Sequence, residues 1–69
     1  MIVRKKIIEA LKSHARGHID KHLANIEVYL ENPAGIGEHS DVTEAVIEEL
    51  NKLAEADDRI EMLQKYFSG

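Results

Sequence analysis

At 69 residues, with nine Lys/Arg against thirteen Asp/Glu, the chain carries a formal net charge of −4. Its length allows one domain, and chains this short usually need disulfides, a metal or self-association to offset chain entropy. There is no cysteine, which removes disulfides and thiolate metal sites and leaves self-association or a metal held by His and carboxylates.

The acidic balance argues against a nucleic-acid partner, although Lys5, Lys12 and Arg16 could in principle form a small basic face. No apolar run approaches the roughly 20 residues a bilayer span needs, so a membrane partner is not expected. In Met1-Ile2-Val3-Arg4-Lys5-Lys6 the charge follows the apolar residues, the reverse of a secretion signal, and the expectation is a soluble cytoplasmic protein. Charge is unevenly shared: residues 1–31 hold six Lys/Arg against four acids, residues 41–69 three against eight. Antiparallel arms would set the basic start beside Asp57, Asp58 and Glu61, each exposed pair contributing only ~0–1 kcal/mol.

From Val3 to Glu31 there is no proline, and Ile8, Leu11, Ala15, Ile19, Leu23, Ile26 and Leu30 recur at spacings of three and four. That is helix periodicity, and it predicts a helix over residues 3–31. Lys5–Glu9 and Arg16–Asp20 are spaced to pair on its solvated side. Gly17 falls on its back in a seven-residue series with Ala10 and Ala24. It is either a tolerated surface glycine or part of a small-residue groove forming a second interface.

Pro33 disfavours helical geometry at Asn32, and Gly35 and Gly37 can take the positive φ of a tight turn. A loop over 32–40 follows, with Ile36 placed to plug the end of a bundle. The Gly-x-Gly there has neither a preceding strand nor a lysine in place, so it is a weak phosphate-loop signal. The second helix is predicted over 41–67, capped by Ser40 or Asp41, with Glu44 three residues past Asp41 in the manner of a capping box. Val42, Val46, Glu49, Leu53, Ala56, Ile60, Leu63 and Phe67 then form an unbroken heptad seam with one acid inside it. Ile47, Leu50 and Ala54 widen the apolar arc to roughly 200°, more than a single partner helix covers.

The expected fold is therefore all-α: a helical hairpin of two long antiparallel helices, dimerising into a four-helix bundle. Its oligomer interface is drawn from Ile8, Leu11, Ala15, Ile19, Ile26, Val46, Ile47, Leu50, Leu53, Ala54, Ile60 and Leu63. Folding the arms about the hinge sets Leu11 against Ile60, Ala15 against Ala56, Ile26 against Val46, and Tyr66 and Phe67 against Ile7 and Ile8. Two levels are polar, His22 against Glu49 and His14 against Asp57.

A buried Glu must be paired or protonated, and a polar layer can fix register and partner number. The alternative is a metal site: His18, His22 and Glu49 make a His₂-carboxylate set suited to zinc or non-haem iron. No Glu-x-x-His pair supports the ferritin-like pattern. A His22–Glu49 dyad could act as a general base, but no nucleophile accompanies it, since Ser13, Ser40 and Ser68 fall on solvent faces, a cap or a tail. The residues point to a non-enzymatic, self-associating interaction or assembly protein without a cofactor.

The run His14-Ala-Arg-Gly-His-Ile-Asp-Lys-His22, the stretch Glu27-Val-Tyr-Leu-Glu-Asn-Pro-Ala-Gly-Ile-Gly-Glu-His-Ser-Asp41 and Glu61-Met-Leu-Gln-Lys-Tyr-Phe67 span nearly the whole chain. Together they resemble small uncharacterised proteins of marine tailed bacteriophages, especially those of cyanobacteria. The resemblance implies a viral or marine origin, with the host-cell cytoplasm as the location if viral, and transfers no functional residues.

Overall fold

A computed structural model describes residues 2–31 and 41–68. Helix α1 runs Ile2–Glu31 and helix α2 runs Val42–Phe67, and the two pack against each other as a hairpin. The direction is antiparallel. Arg4 meets Phe67 at one end of the pair, and His22 meets Glu49 midway along it. The expected turn at Gly35 and Gly37, and the Ile36 plug, lie outside the described residues. Among the described residues no helix is long and apolar enough to cross a membrane.

The start of α2 follows from its first residues. Asp41 is the N-cap, with extended backbone (φ −83°, ψ 97°); its carboxylate accepts from the Glu44 amide at 3.0 Å. Its carbonyl takes the first helical bond from the Ala45 amide, also at 3.0 Å. Glu44 in the first turn and Lys65 in the last both suit the helix dipole.

Helix α1 lacks this arrangement, with no acid in its first turn and no base in its last. Its basic start serves the neighbouring helix instead. The Arg4 guanidinium donates to the Phe67 carbonyl at 3.5 Å, at the negative end of α2. This replaces the expected pairing of the basic start with Asp57, Asp58 and Glu61. The expected Lys5–Glu9 and Arg16–Asp20 pairs are likewise not formed among the described residues; the i,i+4 contact there is Arg59–Glu55 at 3.9 Å.

The core is small. Ala15 and Ala56 are 1% and 0% exposed, and they are the only fully buried apolar residues described. Both had been placed at one level, and their short side chains allow the helices to approach closely there. Ile8, Ile19, Ile26, Val46, Leu53, Ile60 and Leu63 are half-buried, whereas Leu11, Ile47, Leu50 and Ala54 are exposed. Ala15 therefore belongs to the interior of one hairpin, which corrects its assignment to an oligomer interface. Phe67 lies beside Ile7 and Ile8 as expected. Tyr66 is exposed, with the Lys65 ammonium 5.3 Å from its ring centre.

Ala10, Gly17 and Ala24 are exposed, and a Cβ built on Gly17 would meet nothing within 4 Å. In the hairpin Gly17 is thus a surface glycine in a helix interior, costing about 0.5–1 kcal/mol relative to alanine. Gly17→Ala is expected to raise stability by about that amount in urea denaturation. A loss of stability would mean instead that another helix approaches this face closely.

Candidate functional site

The one acid in the α2 seam is where the helices exchange hydrogen bonds. His22 Nδ1 lies 2.5 Å from Glu49 Oε2. Asn25 Nδ2, one turn further along α1, donates to both carboxylate oxygens at 3.2 Å. The His22 side chain is 4% exposed and that of Glu49 14%. Burying a carboxylate without partners would be costly, but here three donor contacts converge on it. No buried side-chain nitrogen or oxygen among the described residues lacks a partner.

The Glu49 carboxyl is held below its ordinary range. The hydrogen bond from His22 is the main cause, opposed by desolvation and assisted by the Asn25 bond, the His22 charge and Lys52. An ionised Glu49 accepts from both partners, so the proton of their shared contact belongs to His22 Nδ1. The Nε2 edge of the ring is then left for whatever lies beyond it.

Three histidines climb the same face of α1. The rings of His14 and His18 are 4.4 Å apart between centres and tilted by 41°; those of His18 and His22 are 5.9 Å apart and tilted by 50°. The pKa of His18 is lowered, first by desolvation and then by the charges of His14, His22, Arg59 and Lys21.

Of the two polar levels expected, only His22–Glu49 is formed. His14 and Asp57 are both exposed, with no hydrogen bond or ion pair between them; His14 lies against His18 instead. The candidate metal ligands His18, His22 and Glu49 are not gathered into one group either. Among the described residues no three His, Cys, Asp or Glu side chains are arranged to hold a metal ion. Glu49 engages the Nδ1 side of His22, and the neighbours of His18 are largely cationic, which disfavours a second cation. Asn25 was missed by sequence reasoning. Its place three residues past His22, on the same helical face, was the available signal.

As chemistry, this is a carboxylate orienting an imidazole, the arrangement of a general base. No hydroxyl bonds to it among the described residues, and Ser68 Oγ donates to the Gln64 carbonyl at 2.5 Å instead. No family model, curated protein or solved structure matches the chain, so function has to be read from the geometry.

If the triad fixes the pairing of the helices, Glu49→Ala leaves His22 buried without its partner. Equilibrium urea denaturation is expected to register a loss of about 1–3 kcal/mol. Replacing both residues with leucine should recover much of that loss, because the desolvated polar groups then disappear together. A neutral Glu49→Ala would show that the contact does not set the register.

Proposed function

We propose that this chain is a non-enzymatic helical-hairpin assembly protein that self-associates, two copies closing into a four-helix bundle. The observation that carries the reading is the poverty of the single hairpin's core. Among the described residues two alanines are the fully buried apolar ones, no large side chain is fully buried, and Leu11, Leu23, Ile47 and Leu50 remain 44–48% exposed. Of these, Leu23, Ile47 and Leu50 share one flank of the hairpin, and such a run of exposed apolar side chains is the mark of an interaction surface.

The exposed residues are not scattered. Ile19 and Leu23 of α1 and Leu50, Leu53 and Ala54 of α2 line one groove between the helices, with Asp57 at its rim. Ile47 falls on the same flank of α2 further along, whereas Leu11, seven residues before His18, falls on the flank of α1 that carries the histidines. Ridges of leucine on one hairpin can enter that groove on another, the packing typical of bundles. A two-fold arrangement makes the surface its own complement.

A second apolar groove at the end of the hairpin is lined by Val3, Arg4, Ile7, Ile8 and Phe67.

Sedimentation equilibrium on the untagged protein tests the reading. The expected mass is that of two chains at micromolar concentration, falling to one chain in Leu23→Glu/Leu50→Glu. A wild-type protein that stays a folded single chain at millimolar concentration would overturn it.

A further inference from the structure

On the other side of the inter-helix seam from the apolar groove lies a cleft of about 240 Å³ with a different character. His18, Lys21 and His22 of α1 and Lys52, Glu55 and Arg59 of α2 line it. Three cations and two imidazoles thus face a single carboxylate, in a chain whose acids outnumber its Lys/Arg by thirteen to nine. Glu55 offsets this concentration of positive charge weakly. It reaches Arg59 at 3.9 Å with both side chains more than half exposed, a geometry in which ion pairs contribute little.

We propose that this cleft binds a small, multiply charged oxyanion of the phosphate class, with Lys21, Lys52 and Arg59 as its charged donors and His18 and His22 as its wall. Arginine and lysine are the side chains suited to such oxygens, arginine through its planar fork and lysine as a compact charge. Glu49 holds His22 by Nδ1 from outside the cleft, so the Nε2 edge is the part of the ring that can meet a ligand.

The charges that resist protonation of His18 are His14, His22 and Lys21 on its own helix and Arg59 on the other. An anion seated among them relieves that repulsion, while a divalent metal adds to it. Size narrows the class further. The cleft is smaller than the ~300–1,000 Å³ of sites that enclose drug-sized ligands. It suits a phosphoryl group with a few waters, any ester remainder projecting into solvent. The cleft residues are absent from the apolar groove, so anion binding does not depend on self-association.

The test is a titration of the untagged protein with inorganic phosphate and, separately, with glycerol phosphate. Ionic strength is held constant with chloride, and the ring protons of His18, assigned by their loss in His18→Gln, are followed by NMR. Saturable binding of either probe, raising the His18 pKa and weakened about tenfold or more in Lys52→Gln/Arg59→Gln, is the expected result. Preference for inorganic phosphate identifies a free ion, and equal or tighter binding of the ester identifies a terminal phosphoryl group. The proposal is overturned if both probes act no differently from chloride or if the double variant binds as tightly as the wild type. Stoichiometric zinc binding without phosphate saturation would overturn it as well.

Discussion

The residues most completely covered between the two helices are alanines, and much of the molecule's behaviour follows from that. Ala15 and Ala56 are all but fully covered, but a methyl side chain removes little apolar surface from water. The larger side chains on either side of the contact are left straddling its edges, half covered at best. A pair of rods 53 × 16 × 15 Å in extent has no third layer to supply the missing cover. Close packing along the seam and apolar exposure beside it are two sides of one constraint.

Apolar contact of this kind says little about which residue should face which, because helices with heptad seams can slip by a turn and still bury similar surface. The contact of His22 and Asn25 with Glu49 supplies the missing discrimination. A slip of one turn would take Glu49 away from Asn25 and leave the buried His22 without its acceptor, a costly outcome. The same three residues divide the hairpin into two flanks. On one, leucines and isoleucines form a greasy groove; on the other, histidines and long cations form a polar cleft. The first flank is where we propose that a second copy of the chain docks, and the second where we propose that a small anion binds.

Much of this was legible from residue spacing. The two helices, the Asp41 cap and the His22–Glu49 level all follow from local rules, the last because only one acid interrupts the α2 seam. What escaped was governed by rotation of each helix about its own axis, which periodicity fixes only loosely. His14 and Asp57 share a level but flank the seam, and a modest rotation leaves both facing water. His18 shares a helical face with His22, yet Glu49 lines up with one ring and not the other. Ala15 looked like one more interface residue, although its small size is what draws it fully inside the hairpin. Arg4 was expected to seek acidic side chains and found a helix-end carbonyl, a partner that no charge pattern records.

The claim that a single hairpin is too poor in core to stand alone is tested most directly by thermal unfolding over a wide range of protein concentration. If a second chain completes the fold, the midpoint rises steadily as the protein is concentrated, because folding and association are then one equilibrium. A sharp, cooperative transition whose midpoint stays the same from the most dilute to the most concentrated sample would contradict it.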